Sequence, residues 1–540
     1  MIEIKTISSL DKMIDSDTVY PLKSASIFKG ELYHFGVYAT STYSWATHSL
    51  KLLCTSPIKD AIKIYRVENS PVFFDNYADH DDYIEFEGER FVADVLEEDL
   101  SNLVLAPGKY LFFEIEVDGN VLPCGEHKIE LLLKDAKGYE YGTVEFSLEV
   151  INASLPKQEF LVTQWLHPDS IAHAHGVDMY SEQFFKVFRE YVMTAVRYGQ
   201  NMLLTPLFTY PLDTDINVER RNFQLIQVKK TNGIYGFDFT LLEKYIQIAQ
   251  QCGIERIEFS HLFTQWGLKA CPKIVAEVDG ERKKIFGWEQ DPLENEYLAF
   301  LDVFLDELMV FIKEKGYEKI CWFHISDEAT DKCLERYKKA YQFVRKKIGD
   351  MRIMDAMSEY ALYESGCVDI PTVCIDSVKP FIENNVEHLV YYACLQCKDY
   401  YSNRYMSMPL QRTRIIGMQA YLGGAIGFLH WGLNFYSSGL SLFPIDPYRN
   451  TDAGGFFPAG DPFIVYPSKN GVKPSLRLFA FGDAMQDYRA LKLLERLKGR
   501  EFVVDLLKAE GVNGYNKYPR SKEWHIKFRE KINKYIKENI

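Results

Sequence analysis

The sequence predicts an all-β part followed by an α/β part, and three observations support this fold class. Up to about residue 150, short segments rich in aromatic and β-branched residues are separated by turn signals, a pattern typical of a sandwich of two antiparallel sheets. After residue 155 the pattern changes to alternating strands and helices, which is typical of parallel β/α packing. The 540 residues are enough for two domains, one of them a barrel of about 250 residues or more.

The first part is predicted to be an N-terminal β-sandwich over residues 1–155. Its clearest strands are residues 32–38, 61–65, 110–117 and 143–150, several of which alternate apolar and polar residues. Turn signals such as Asp118-Gly119-Asn120 separate them. Polar and proline residues at 152–156 interrupt the pattern, so we place the domain boundary there.

The second part, residues 156–540, is predicted to be a (β/α)8 barrel with a C-terminal helical extension. Its predicted strands are residues 160–166, 201–206, 257–261, 320–325, 352–355, 372–376, 388–392 and 425–431. Helices are predicted over residues 183–198, 239–252 and 294–315. Because these strands alternate with helices and number eight, a closed barrel is favoured over an open sheet.

Charge and composition limit the classes of partner. The formal net charge of −14 argues against nucleic acid and anionic membranes, because both bind clustered lysine and arginine. The sequence shows no signal-peptide pattern at its start, no apolar run long enough to cross a bilayer, and ten scattered cysteines. We therefore expect a cytoplasmic protein with a neutral or weakly charged ligand and without a metal or cofactor.

The segment 319–328 ends in two adjacent carboxylates, Asp327 and Glu328. Residues 320–325 are typical of a buried strand, and a helical pattern follows the carboxylates. In a barrel of parallel strands, the side chains at the C-terminal ends of the strands face one shared basin. Asp327 and Glu328 are therefore the first catalytic candidates. The alternative is structural, because Ser326 could cap a helix whose first turn favours acidic residues.

Further polar and aromatic residues follow the other predicted strands. Together they suit a sugar, which needs hydrogen-bonding groups for its hydroxyls and flat apolar faces for its C–H surfaces. The alternative is again structural, since tryptophan and tyrosine are common in cores, and histidine and aspartate are common in caps and turns. Because these residues recur at one predicted face, we expect a sugar site built from His167, Asp169, His261, Tyr391, Tyr392, Trp431 and Asn434.

Several segments carry a resemblance to a known family. They are residues 163–169 (Thr-Gln-Trp-Leu-His-Pro-Asp), 322–328 (Trp-Phe-His-Ile-Ser-Asp-Glu), 427–434 (Gly-Phe-Leu-His-Trp-Gly-Leu-Asn), 460–467, 474–477 and 486–488. In order and spacing they resemble glycoside hydrolase family 123, from about residue 160 to residue 497. The resemblance implies a β-N-acetylgalactosaminidase with an N-terminal β-sandwich, a catalytic (β/α)8 barrel and a catalytic pair at Asp327 and Glu328. The chain departs from the family pattern at Phe479 and Gly482.

Adjacent carboxylates suit a mechanism in which the substrate supplies the nucleophile. Ordinary retaining glycosidases place two carboxylates about 5–5.5 Å apart across the scissile bond, which neighbouring residues cannot easily do. If the 2-acetamido oxygen attacks C1, one carboxylate holds the acetamido N–H and the other protonates the leaving oxygen. By resemblance, Asp327 has the first role and Glu328 the second, with a protonated Glu328 expected beside an ionised Asp327.

The resemblance thus implies a retaining exo-β-N-acetylgalactosaminidase that needs no cofactor. Its expected substrates are glycans with a terminal β-linked GalNAc, including glycosphingolipid-type oligosaccharides. One alternative is a two-carboxylate retaining glycosidase, with Glu328 as acid and Asp355, Glu359 or Asp376 as nucleophile. Another alternative is a non-catalytic glycan-binding protein that kept the barrel.

Overall fold

The computed structural model describes residues 1–12, 19–392, 395–469 and 471–540. The strands described before residue 155 are β1 (Ile2–Ser8), β2 (Ser24–Lys29), β3 (Leu32–Ser41), β4 (Thr47–Cys54), β5 (Ile62–Val72), β6 (Arg90–Glu97), β7 (Leu103–Leu105), β8 (Tyr110–Asp118), β9 (Gly125–Asp135) and β10 (Glu140–Ser154). They form two five-stranded sheets, with the orders β1-β3-β8-β5-β6 and β2-β10-β9-β4-β7.

The two sheets pack face to face. Phe35 of β3 stacks on Phe146 of β10 with ring centroids 4.2 Å apart, and Phe113 and Leu131 of facing sheets lie in the same buried cluster. Alternate residues of the central strands, such as Phe35, Val37 and Ala39 of β3, lie in this core, as the alternating sequence pattern predicted. The prediction of antiparallel pairing holds except for β2 and β10, which run parallel.

After residue 155, strands and helices alternate. The strands are β11 (Leu161–Gln164), β12 (Met202–Thr205), β13 (Gln227–Thr231), β14 (Ile234–Asp238), β15 (Arg256–Phe259), β16 (Ile274–Val278), β17 (Glu281–Phe286), β18 (Cys321–Trp322), β19 (Met354–Met357), β20 (Ile370–Cys374), β21 (Leu389–Tyr392), β22 (Gly427–His430), β23 (Tyr466–Ser468) and β24 (Gly471–Lys473). The helices are α1 (Pro168–His175), α2 (Glu182–Arg197), α3 (Thr240–Cys252), α4 (Gln265–Leu268), α5 (Asn295–Lys315), α6 (Leu334–Ile348), α7 (Tyr360–Glu364), α8 (Lys379–Glu383), α9 (Leu410–Arg414), α10 (Ile416–Gly423), α11 (Leu476–Lys498), α12 (Arg500–Ala509) and α13 (Lys522–Lys537).

All eight strands predicted for this part are present, and the pairs that they form are parallel. They belong to two sheets, β11-β22-β21-β20-β19 and β12-β15-β18. A single parallel bridge between Phe323 and Ile353 links β18 to the start of β19. Between β11 and β12 the described residues form no ladder. The prediction of a closed (β/α)8 barrel is therefore met only in part, because the described strands do not close into one hydrogen-bonded ring.

Side-chain amides explain the gap between β11 and β12. The amide oxygen of Asn201 accepts the backbone N–H of Val162 at 2.8 Å, and its amide nitrogen donates to the carbonyl of Phe160 at 3.1 Å. Gln200 donates to the carbonyl of Gln164 at 3.2 Å. These side chains satisfy backbone groups of β11 that a neighbouring strand would otherwise pair. Backbone patterns in the sequence could not predict this arrangement.

The N-terminal sheets pack on the α/β part through β3, β5 and β6 of one sheet and through β2 and β10 of the other. Asp94 of β6 pairs with Arg477 of α11 through two hydrogen bonds of 2.9 Å, and both side chains are buried. Phe479 stacks on His34 of β3 at 4.2 Å, and Gly482 lies against the ring of Tyr198. The two departures from the family pattern therefore lie at this interface. In the part of the chain that the structure describes, no helix combines the length and apolar character needed to cross a bilayer.

Candidate active site

A cavity of about 140 Å³ opens at the C-terminal ends of the parallel strands. Of the sequence-predicted residues, Asp327, Glu328, His167, Tyr391, Tyr392 and Trp431 line it. The other lining residues are Trp165, Leu212, Asp213, Gln265, Trp266, Ala356, Leu429 and Phe457. A larger cavity of about 480 Å³ lies at the other end of the strands, beside Asn201 and Glu255. It lacks a pair of neighbouring carboxylates, so the smaller cavity is the candidate active site.

Asp327 and Glu328 lie on the loop that follows β18, and both are partly exposed to the cavity. Glu328 has a φ of +48°, a left-handed conformation that is uncommon for this residue type and is found at functional sites. Burial, followed by the charge of Glu328, raises the pKa of Asp327 well above its usual range. This direction is opposite to the ionised Asp327 expected from the sequence.

Trp266 contacts both carboxylate residues. Its indole N–H donates to Oε2 of Glu328 at 3.0 Å, and its backbone N–H donates to the carbonyl of Asp327 at 3.1 Å. The Tyr391 hydroxyl lies 3.5 Å from Oε1 of Glu328 and 3.3 Å from the Ser358 hydroxyl. Trp266 was not predicted from the sequence, because the segment after β15 carries no recognised motif.

Asp355 holds the loop that carries the two carboxylates. From β19, its carboxylate accepts the backbone N–H of Ile325 at 3.0 Å and that of Ser326 at 3.3 Å. It also accepts from His324 at 3.0 Å and from the Tyr337 hydroxyl. The side chain is fully buried and does not line the cavity. Asp355 is therefore placed to position the loop, and it cannot reach a sugar in the cavity as the alternative nucleophile would.

The other two alternative nucleophiles also lie away from the cavity lining. Glu359 accepts the backbone N–H of Asp331 at 2.5 Å, next to the start of α7. Asp376 is exposed and accepts from the Ser377 hydroxyl at 2.9 Å. None of the three carboxylates proposed from the sequence as nucleophile partners of Glu328 lines the site.

His324 lies below the loop between two buried carboxylates. Its Nδ1 is 3.0 Å from Asp355 and its Nε2 is 3.0 Å from Glu258. Although burial alone would lower the pKa of His324, its hydrogen bonds to Asp355 and Glu258 raise the pKa to about 9. The two carboxylates therefore favour the protonated form of the ring.

His261 was predicted to bind substrate, but the structure does not place it in the cavity lining. It is buried, and its ring stacks on His324 with centroids 4.3 Å apart. Burial, followed by the nearby charge of His324, lowers the pKa of His261 well below its usual range. Ligand atoms of His261, His324 and Asp355 lie within 4.8 Å of one another. Both ring nitrogens of His324 already contact carboxylate oxygens at 3.0 Å, so the cluster fits a buried ion pair better than a metal site.

His167 lines the cavity as a neutral ring with both nitrogens bonded. Its Nδ1 accepts from Arg220 at 2.9 Å, and its Nε2 donates to the carbonyl of Trp431 at 2.9 Å. Burial, followed by the charge of Arg220, lowers its pKa to about 3. Asp169 and Asn434, also predicted to bind substrate, do not line the cavity. Asp169 pairs with Arg220 at 2.8 Å, while the Asn434 amide contacts the backbone of His167 at 2.8 and 3.1 Å, so both hold His167 in place.

The predicted aromatic residues differ in what they offer to a ligand. Trp431 is partly exposed, donates its indole N–H to Asp461 at 2.8 Å and contacts Phe457 with centroids 5.0 Å apart. Tyr391 is buried to 6% exposure and directs its hydroxyl towards Glu328. The Tyr392 ring packs on Phe428 at 5.2 Å, and its hydroxyl lies 3.1 Å from that of Ser402. Trp431 therefore presents an apolar face to the cavity and Tyr391 presents its hydroxyl, whereas Tyr392, although it also lines the cavity, directs its hydroxyl to Ser402.

Asp213 is a cavity carboxylate that was not predicted from the sequence. Its φ is +40°, its Oδ2 accepts the backbone N–H of Leu440 at 3.0 Å, and its own N–H donates to Gln265 at 2.8 Å. Burial raises its pKa to about 6. Ser441 donates to the carbonyl of Asp213 at 2.6 Å, so the loops after β12 and β22 are joined at this residue. No residue pattern in the sequence predicts that these loops meet.

Comparisons with known proteins identify a family and a similar fold. The model for the glycoside hydrolase 123 catalytic domain matches residues 165–494. A structure described as a family 123 glycoside hydrolase from Clostridium perfringens, solved to explain glycolipid glycan hydrolysis, matches with a TM-score of 0.76 and 15% identity over 99% of this chain and 98% of that chain.

Two further structures match with TM-scores below 0.5. A Parabacteroides merdae β-glucuronidase has a TM-score of 0.32 and 10% identity over 89% of this chain and 51% of that chain. A Thermobacillus composti xylanase has a TM-score of 0.33 and 12% identity over 61% of this chain and 97% of that chain. No curated protein sequence matches the chain significantly.

Proposed function

Because the chain belongs to glycoside hydrolase family 123, we propose that it is a retaining exo-β-N-acetylgalactosaminidase that uses the acetamido group of its substrate as the nucleophile. The observation that carries this proposal is that Asp327 and Glu328 line one cavity as chain neighbours, while Asp355, Glu359 and Asp376 do not line it. Two adjacent carboxylates suit a reaction in which neither has to attack C1.

In the proposed first step, Glu328 donates a proton to the glycosidic oxygen as the bond from C1 to that oxygen breaks. The acetamido carbonyl oxygen forms a new bond to C1 and gives an oxazolinium ion, while Asp327 accepts the acetamido N–H. Donation from this N–H would favour the ionised form of Asp327, whose pKa burial raises in the structure. In the second step Glu328 takes a proton from water, and the water oxygen bonds to C1. The bond from C1 to the acetamido oxygen breaks, so the oxazolinium ring opens and the configuration at C1 is retained overall.

The size and lining of the cavity support an exo-acting enzyme. A volume of about 140 Å³ is small for a binding site, since typical ligand pockets are about 300–1,000 Å³, and it suits a single terminal sugar. Trp431 offers an apolar face to that sugar. The similar Clostridium perfringens enzyme is described as hydrolysing glycolipid glycans, so we propose that the substrates of this chain include glycosphingolipid-type oligosaccharides with terminal β-linked GalNAc.

We also propose how the chain is divided. Residues 1–155 form the β-sandwich domain, and residues 156–540 form a catalytic (β/α)8 barrel with a helical extension. In this proposal the amides of Gln200 and Asn201 close the barrel where the described backbone ladder is interrupted.

Fluorinated substrates test the mechanism. Aryl β-GalNAc glycosides with acetyl, mono-, di- and trifluoroacetyl groups carry progressively weaker oxygen nucleophiles. We expect kcat/KM to fall steadily along the series and a 2-hydroxyl substrate to be cleaved very poorly. A flat series would reject substrate assistance.

A two-carboxylate mechanism remains the second candidate, because Asp213 is a further carboxylate in the cavity lining. In that mechanism Glu328 is the acid and Asp213 attacks C1. Covalent trapping of a 2-fluoro sugar on Asp213, identified by mass spectrometry of peptides, would establish it. Failure to trap any residue, together with a falling fluorination series, would exclude it.

A further inference from the structure

We propose that Trp266 forms the binding site for the sugar on the leaving-group side of the scissile bond and that it also orients Glu328. This inference rests on the proposed function, since it assigns the second sugar site of the same reaction. The ligand class is the pyranose ring that follows the terminal residue of the glycan.

Trp266 is an exposed aromatic residue at the mouth of the cavity. Its side chain is 48% exposed, although it lines the cavity together with Asp327 and Glu328. By contrast, Trp165 and Trp322 of the neighbouring strands are at most 5% exposed. A large apolar surface left open beside a catalytic carboxyl is available to stack on the C–H face of a sugar.

The backbone holds Trp266 in an unfavourable conformation. Its φ is +57°, and Gly267 and Leu268 follow with φ values of +109° and +55°, so the short segment α4 departs from right-handed helical geometry. Left-handed geometry is rare for a bulky residue and costs about 1–3 kcal/mol when the surrounding structure enforces it. Thr264 and Ala270 close this turn through hydrogen bonds of 3.0 and 3.1 Å. The strained turn places the indole at the mouth of the cavity rather than in the hydrophobic core.

The indole N–H selects one oxygen of Glu328. Oε2 accepts from Trp266 at 3.0 Å, whereas Oε1 has only the longer contact of 3.5 Å with the Tyr391 hydroxyl. Oε1 is therefore the oxygen that carries the proton that the leaving oxygen needs. In the proposed reaction the glycosidic oxygen joins the terminal sugar to the next one, so a carboxyl that reaches this oxygen lies beside both sugars. The indole is hydrogen-bonded to the Glu328 carboxyl and therefore lies beside the second sugar.

Two variants separate the two roles. Trp266→Gly removes the ring and the N–H, and glycine favours the left-handed backbone at this position, so the variant is expected to fold. Trp266→Phe keeps a flat ring but loses the N–H donor. The matched control is Trp45→Ala, which removes an exposed tryptophan (62% exposed) from the N-terminal sheets.

The experiment compares two substrates. One is an oligosaccharide that ends in β-linked GalNAc, and the other is β-GalNAc fluoride, whose leaving group is a single atom that cannot stack. For Trp266→Gly we expect the ratio of kcat/KM values, oligosaccharide to fluoride, to fall about tenfold, as the loss of one stacking contact implies. For Trp266→Phe we expect the ratio of kcat/KM values to stay close to that of wild type, because a flat ring is kept. We expect the alkaline limb of the pH–rate profile to move to higher pH, because the ionised Glu328 carboxylate loses the indole N–H as a hydrogen-bond donor.

Each outcome decides the inference. An unchanged ratio in Trp266→Gly, with wild-type activity present and binding of a GalNAc-thiazoline retained, rejects the sugar site and leaves the proposed function intact. An unchanged pH–rate profile in Trp266→Phe rejects the orienting role. If wild-type protein cleaves neither substrate and does not bind the thiazoline, the proposed function itself fails. A similar fall in the ratio for Trp45→Ala would show that the effect is not specific to the cavity mouth.

Discussion

At the scale of single residues, Glu328 combines a left-handed backbone with two hydrogen-bond partners at the cavity. If it is the proton donor, its replacement must matter most for leaving groups that need protonation. We expect Glu328→Gln to abolish cleavage of natural glycans while dinitrophenyl substrates, which need little protonation, keep their first step. Burst kinetics on both substrate types measure this difference. Equal losses on both would argue against the acid role.

Trp431 gives a second test at this scale, because its ring lines the cavity while its N–H bonds to Asp461 at 2.8 Å. We expect Trp431→Ala to weaken transition-state binding by about 1–3 kcal/mol through loss of the apolar face. The value follows from kcat/KM of wild type and variant. An unchanged kcat/KM with a lower Tm would mean that Trp431 is a core residue only.

Asp213 links the site to stability through its pKa, which burial raises to about 6. The pKa of an aspartate in the unfolded chain is near 4, below the value of about 6 in the folded protein. The protonated Asp213 therefore contributes its full stabilisation of the fold below about pH 4, and this stabilisation is lost as the pH rises through about 6. Asp213→Asn mimics the protonated form and can still accept from Leu440. We therefore expect the Tm of the variant to exceed that of wild type at pH 7, with the difference vanishing below about pH 4.

The control for this prediction is Asp215→Asn, an exposed carboxylate on the same loop. Its Tm should follow that of wild type at every pH from 4 to 8. A constant difference between Asp213→Asn and wild type over this range would show that Asp213 is not titrating there.

At the scale of elements, β19 supports the loop after β18 through Asp355. Asp355→Asn offers one acceptor oxygen where two carboxylate oxygens now bind the N–H groups of Ile325 and Ser326. We expect kcat to fall about 100-fold or more, because preorganised groups misplaced by a short distance lose most of their effect. Far-UV circular dichroism should remain that of wild type.

Asp369→Asn is the matched control, since Asp369 accepts the backbone N–H of Ile353 at 2.8 Å, just before the same strand. It should lower stability without lowering kcat. Equal effects of the two variants on kcat would indicate a general disturbance of β19 rather than loss of loop positioning.

The order of the elements could be predicted from sequence because strands and helices have different apolar periods. All eight strands and the helices α2, α3 and α5 were predicted close to their observed positions. The interruption between β11 and β12 could not be predicted, because it depends on where the amides of Gln200 and Asn201 point. The parallel pairing of β2 with β10 is a long-range contact that local patterns do not encode.

The site was predictable to the extent that its residues follow strands directly. His167, Tyr391 and Trp431 lie within three positions of a strand end, Asp327 and Glu328 follow β18 by five and six positions, and all five line the cavity. Trp266 and Asp213 lie further along their loops, and only tertiary folding brings them to the cavity. Asp169, His261 and Asn434 are polar, as a sugar site requires, but they do not line the cavity. They contact Arg220, His324 and the backbone of His167, respectively.

At the scale of the whole molecule, the buried pair of Asp94 and Arg477 joins the N-terminal sheets to α11. Asp94→Ala would leave the Arg477 guanidinium buried without its counter-ion. We expect a loss of about 3–5 kcal/mol in the free energy of unfolding, as is typical when one partner of a buried pair is removed. Denaturant unfolding followed by circular dichroism measures this loss.

Glu98→Ala is the control, because Glu98 pairs with Lys63 while both side chains are more than half exposed. Its effect should be within about 1 kcal/mol of zero. A loss for Asp94→Ala as small as that for Glu98→Ala would show that the interface does not depend on the buried pair.

The helix α13 returns to the first part of the chain, where Arg529 binds Glu31 and Asn533 donates to the carbonyl of Ser26 at 2.8 Å. Burial raises the pKa of Glu31, and the charge of Arg529 is the strongest opposing influence. The two partners are 498 positions apart, so at about 5–20 residues per second a ribosome needs roughly 25–100 s to supply the arginine. During synthesis the carboxyl of Glu31 must therefore stay hydrated or protonated. The outer side of β2, the edge strand of its sheet, remains uncovered until α13 has been synthesised. The backbone N–H of Ser26 in β2 donates to Glu530 of α13 at 2.9 Å, so pulse-labelling of stalled nascent chains should show protection of this N–H only after α13 has left the exit tunnel.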